Sequence, residues 1–200
     1  MKKLMIAAVA VCAAALAQAG SINWSTAAKL AKNQDGSNLS PKTTIYLLQT
    51  DVTGETGYDA LIQAITKDGF DSSTIESWDA YAGKLTTTSS TSTKSYGKGS
   101  GTAVTKATDS AGEYETHNFN AIIFQKGEDN KEYYLLTSVS VQGKAKDPND
   151  PIDQQNDPAF GSANFSGSTW TEVAQSAPEP TSAMLLLLGV AGLALKRRRA

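Results

Sequence analysis

The sequence predicts an α+β domain, mainly antiparallel β-sheet with one or two short helices, with a β-sandwich as the alternative. Three runs of residues carry that expectation. Residues 43–50 (TTIYLLQT) are rich in β-formers and apolar on both faces at their centre, the pattern of a buried strand. Tyr58, Leu61, Ile62 and Ile65 stand at i, i+3, i+4 and i+7, a single helical stripe. Residues 119–125 (FNAIIFQ) and 132–141 (EYYLLTSVSV) are strand-like, and the intervening KGEDNK supplies the turn of a hairpin.

In chain order, residues 1–19 precede this domain and read as a secretory signal. Lys2 and Lys3 form its basic start, residues 4–16 its apolar stretch, and Ala17-Gln18-Ala19 a small-x-small cleavage site that leaves Gly20 as the new N-terminus. The apolar stretch is shorter than the roughly 20 residues of a membrane-spanning helix. Cys12, the sole cysteine, lies inside it and is lost on cleavage, so the exported chain has no thiol for a disulfide, metal ligand or nucleophile.

After the strand at 43–50, Thr56 and Asp59 predict a capping-box start for the first helix, and Gly69 its stop. A second, weaker helix is expected from Ser73, with Glu76 three residues on and Ile75, Trp78 and Ala82 along one side. Residues 86–101 (TTTSSTSTKSYGKGSG) have little to bury and read as a surface loop. In the second hairpin strand, Tyr133, Leu135, Val139 and Val141 share one face, opposite Ser138 and Ser140. Residues 147–158 (DPNDPIDQQNDP) form a proline-broken acidic loop, and 170–173 a short last strand. Repeats of 20–50 residues are absent, which argues against a solenoid.

The net charge of -2 conceals an asymmetry. Between Gly20 and Ala177 there are 19 acidic residues against 12 lysines, whereas Lys196, Arg197, Arg198 and Arg199 crowd the C-terminus. An exported part with that acidic excess is no nucleic-acid partner, because phosphate counterions are displaced by a basic face. Residues 183–195 are free of polar side chains; thirteen residues at about 1.5 Å each span about 20 Å, less than the ~30 Å hydrocarbon core. Flanking residues lengthen this short span, and the basic cluster belongs on the cytoplasmic side, as Lys2 and Lys3 do. The organisation is therefore a signal peptide (1–19), an exported domain (20–176) and a tail (177–200) holding a transmembrane segment at 181–195.

Directly before the span stands Pro178-Glu179-Pro180, where two prolines enforce an extended backbone. The order of triplet, short apolar segment and basic end resembles the PEP-CTERM sorting tail, which also circulates as an ice-binding protein C-terminal domain. The resemblance covers about 23 residues. It implies that Pro178, Glu179 and Pro180 are recognised by an exosortase-like membrane protease, with signal peptidase as the other processing partner. It also implies a cell-envelope or extracellular-matrix destination and association with envelope polysaccharide or biofilm.

The remaining candidates for chemistry are thin. His117, the only histidine, precedes a strand and reads as a surface or turn residue; no G-x-S-x-G elbow surrounds any serine. Asp147, Asp150, Asp153 and Asp157 are weak candidates for calcium, because Asx-Pro sequences make turns and the EF-hand order is missing. Gly97, Gly99 and Gly101 lack the flanking strand and helix of a phosphate loop. The irregular Ser/Thr run at 86–93 suits a surface loop or O-glycosylation better than an ice-binding face. Trp78, Tyr133, Tyr134 and Trp170 could stack on sugars, with core packing the competing role. The expectation is a non-catalytic exported domain without a cofactor. The alternatives are a permanently anchored glycan- or calcium-binding surface protein and a secreted hydrolase.

Overall fold

A computed structural model describes residues 20–67, 70–88, 96–108 and 112–174. The expected signal segment, Gly69, the Pro178-Glu179-Pro180 triplet, the apolar tail and its basic end lie outside the described residues. Among the described residues nine strands form one sheet: β1 (Gly20–Thr26), β2 (Thr44–Gln49), β3 (Tyr81–Thr86), β4 (Gly99–Thr105), β5 (His117–Lys126), β6 (Glu132–Leu136), β7 (Val141–Gly143), β8 (Ala159–Phe160) and β9 (Thr171–Glu172). Their order is β8-β1-β4-β3-β2-β5-β6-β9, with β7 paired to β5 beyond β6. Every pairing is antiparallel except β1 with β8, so the sheet is mixed. Both outer strands are two residues long, which limits the free edge available to another chain.

The sheet curls, and its two faces bury different clusters. Side chains alternate across β2 and β5 as strand geometry requires. Ile45, Leu47, Phe119, Ala121 and Ile123 enter the larger core with Ile22 and Trp24 of β1 and Leu135 of β6. Tyr46, Leu48, Ile122 and Phe124 face the other way, toward α1 (Tyr58–Lys67) and a 3-10 helix (Ser72–Ser77). A bulge sets the phase of β3. Leu47 pairs with Gly83 and Leu48 with Tyr81, so Ala82 is the extra residue and joins Leu85 in the larger core.

The predicted apolar stripe does form α1. Leu61 and Ile65 are fully buried, worth about 1.5–3 kcal/mol each, and Asp59 and Lys67 suit the helix dipole. Its start differs from expectation: Thr56 bonds to the Asp79 carboxylate rather than capping the helix, which begins one residue after Gly57. A side chain at Gly57 would come within 2.5 Å of the Val52 carbonyl. The hairpin is also present, with Phe124 opposite Tyr134 and Asn130 (φ 64) turning the chain.

Four expectations are corrected. The second helix is a 3-10 helix ending at Ser77, and Ala82 belongs to β3. Thr86 ends β3, and Gly99–Thr105 is β4, so the 86–101 loop is flanked and shortened by strands. The run at 132–141 is broken, because Leu136 pairs with Ile122 while Val141 pairs with Phe119, two residues out of step. Ser138 explains the break: its amide bonds to the Asn164 carbonyl, and its hydroxyl bonds to the carbonyls of Asn164 and Ser166. Val139 is consequently exposed instead of sharing a face with Leu135. Finally, the strands form one continuous sheet rather than a β-sandwich.

Candidate functional site

Three distant segments meet at the rim of the larger core: residues 29–33 after β1, Tyr96 before β4, and residues 162–170 between β8 and β9. Lys29 adopts a left-handed backbone (φ 60), and its amide bonds to the Tyr96 carbonyl at 2.8 Å. Gly97 follows with φ 77, and a side chain there would lie 2.7 Å from Leu30 Cβ, so glycine is needed on both counts. On the other side the Trp170 indole N–H donates to the Lys32 carbonyl at 2.9 Å, fixing the ring across 138 positions of chain.

These contacts enclose a cleft of about 370 Å³, within the size range of small-ligand sites. Buried Leu30, Leu135 and Phe165 line it, and half-buried Tyr96 and Trp170 are its aromatic components. The Lys32 ammonium lies 5.1 Å from the Tyr96 ring centroid and 2.6 Å from Asn38 Oδ1. Lys29 and Lys32 are exposed, neither forms an ion pair among the described residues, and no carboxylate lines the cleft. Beyond Asn33 the surface changes sign in a hollow lined by Asp35, Glu128 and Asp129. The Ser37 hydroxyl holds the Asp35 carboxyl below its ordinary range, and the Tyr133 hydroxyl does the same for Asp129.

A larger groove, about 700 Å³, opens where β1 and β8 end and β4 begins. Ser25, Thr88, Ser100 and Lys98 are among its lining residues, and its single aromatic residue, Phe160, is buried. It offers space but few groups for recognition. The smaller cleft combines apolar floor, ring faces and charge, so it is the better candidate site.

His117 is fully buried at the start of β5, which corrects the surface or turn expectation. Its Nδ1 is 2.6 Å from Asp51 Oδ2, and its Nε2 is 3.0 Å from the Gly112 carbonyl. Gln49 stands beside it, Nε2 at 3.1 Å from Nδ1, and its amide pairs with the backbone N–H and C=O of Lys106. This is an Asp–His pair without room for chemistry: the second nitrogen is spent on a carbonyl and the ring is closed to solvent. Its role is to tie β2 and β5 to the 106 and 112 loops.

The four aspartates of the acidic loop do not converge on one point. Asp147 accepts from the Asn149 amide and Asp150 from the Ile152 amide, as Asx turns do. Asp153 bonds to the Asp147 amide and to Lys144 Nζ at 2.5 Å, while Asp157 accepts from the Asn23 amide and from Gln155. Among the described residues no group of three or more His, Cys, Asp or Glu side chains is arranged to hold a metal.

Of the four aromatics considered for sugar contact, only Trp170 lines the cleft. Tyr134 is core, Trp78 packs against Phe70, and Tyr133 bonds to Asp129 in the acidic hollow. Tyr96, Lys29 and Lys32 were not legible as site residues. Tyr96 did carry one faint signal, a lone aromatic in a Ser/Thr/Gly-rich run. Gly20, the expected first residue after cleavage, is the buried first residue of β1, opposite Thr105.

No protein-family model, no curated protein and no solved structure matches this chain. The likeness of its tail to the PEP-CTERM pattern therefore rests on residues 178–200 themselves. Among the described residues no helix is long and apolar enough to cross a membrane.

Proposed function

We propose that this chain is an exported cell-envelope or extracellular-matrix protein, retained by a short C-terminal transmembrane segment and sorted by an exosortase-like enzyme that reads Pro178-Glu179-Pro180. The carrying observation is the tail: triplet, thirteen apolar residues and Lys196-Arg197-Arg198-Arg199 in that order. The basic groups at both ends favour the cytoplasm, which directs everything between them outward. In this reading the exported domain is a non-catalytic binding or matrix component that needs no cofactor.

Mass spectrometry of the native C-terminus tests the proposal. Loss of the apolar tail is the expected result, and accumulation of precursor is expected for Pro178→Ala with Glu179→Ala. A native protein still ending in KRRRA would instead make the tail a permanent anchor.

A further inference from the structure

The cleft between Tyr96 and Trp170 carries more than the tail can say about the exported domain. We infer that it is a binding site for a carboxylate-bearing saccharide, a uronic acid residue within a polysaccharide. This goes beyond the sorting proposal and is independent of it, since it depends only on the folded domain.

The argument begins with the lining. A pyranose has one face rich in C–H and an edge of hydroxyls, so a binding site needs aromatic surface beside polar groups. Tyr96 and Trp170 supply the aromatic surface, and the bond from the Trp170 indole to the Lys32 carbonyl fixes one ring before any ligand arrives. A ring already held loses little conformational freedom on binding.

Charge selects among saccharides. The exported region is strongly acidic, yet the cleft has two lysines, no carboxylate in its lining and no ion pair on either lysine among the described residues. Elsewhere among the described residues Lys84, Lys106, Lys131 and Lys144 are paired with Glu76, Asp79, Glu172 and Asp153, and Lys42, Lys67, Lys98, Lys126 and Lys146 have no ion pair; Lys29 and Lys32 differ in lining one aromatic-sided cleft together. Lys29 is held beside the cleft in a left-handed conformation uncommon for a lysine, so its placement is imposed by the turn. Two lysines lining an apolar, aromatic-sided cleft fit a sugar that carries a carboxylate. The acidic hollow beyond Asn33 would repel the same ligand, which confines it to one side.

The test titrates the full-length chain in detergent with oligogalacturonate, with a neutral glucose oligomer of equal length, and with polyaspartate as a non-sugar polyanion, following tryptophan fluorescence and calorimetric heat. The expected order is oligogalacturonate well ahead of both others. Lys29→Asn (a residue at ease at positive φ) with Lys32→Gln should weaken oligogalacturonate binding about tenfold, because exposed ion pairs contribute modestly. Trp170→Leu should weaken oligogalacturonate and any residual neutral-sugar binding alike. Far-ultraviolet dichroism and urea midpoints establish that the variants are folded, and Trp170→Phe stands in if Trp170→Leu is not. Equal binding of the neutral oligomer, equal binding of polyaspartate, no binding at all, or lysine variants indistinguishable from the parent would each overturn the inference.

Discussion

Replacing His117 by alanine is expected to be among the most damaging single changes in this domain, although no sequence pattern marks the residue. The perturbation removes a fully buried ring that touches three elements at once. Its bond to the Asp51 carboxylate is the charge-assisted kind, worth about 1.5–3 kcal/mol, and the bond to the Gly112 carbonyl adds about 0.5–1.5 kcal/mol. The emptied space beside Phe119, whose ring centroid is 6.5 Å from the imidazole, costs further packing. Against this, the Asp51 side chain is 30% exposed and can regain water. The balance is a loss of about 3 kcal/mol, a large share of the ~5–15 kcal/mol that holds a domain together. Urea unfolding followed by tryptophan fluorescence should show the midpoint falling by roughly 1–3 M. A double-mutant cycle with Asp51→Asn should return a coupling of about 1–2 kcal/mol, because both changes break one contact. A loss below about 1 kcal/mol, or strict additivity with Asp51→Asn, would refute the assignment of His117 as a structural node.

Gly97→Ala should lose roughly 2–5 kcal/mol, the sum of a positive-φ cost and the clash with Leu30 Cβ. Gly36→Ala is the matched control, with φ 79 and no atom near the added methyl, so its urea midpoint should report the backbone part alone, about 1–2 kcal/mol. Equal losses at the two positions would remove the packing argument. Acid should loosen the 147–157 loop. The Asp147 amide, and after it the Lys144 ammonium, hold the Asp153 carboxyl below its ordinary 3.8. Its folded value being depressed, Asp153 contributes its full stabilisation above 3.8 and loses it as pH falls through the lower folded value. A carboxyl-carbon NMR titration that places Asp153 at or above 3.8 would contradict this.

Much of the fold was legible wherever its cause is local. The stripe Tyr58-Leu61-Ile62-Ile65 declared α1, and the two β-rich runs around KGEDNK declared the hairpin, because periodicity and turn chemistry are properties of neighbouring residues. Strands β1 (GSINWST) and β4 (GSGTAVT) carry little such signal; they are strands because seven consecutive residues of each pair with the other. The run at 132–141 misled for the same reason in reverse. Its alternation is continuous, but Ser138 bonds to Asn164 and Ser166, residues that local pattern cannot see.

The sequence by itself determined the chemistry of the two ends, the lack of a thiol beyond residue 19, the acidic excess of residues 20–177 and the α+β class. These follow from composition and short-range order. Only the tertiary structure decided that one curled sheet buries two cores, that His117 is an interior ligand of Asp51 and Gly112, and that Lys29, Lys32, Tyr96 and Trp170 share a cleft. Those outcomes depend on contacts between residues as many as 138 positions apart, whose formation is settled by burial and hydrogen bonding across the whole sheet.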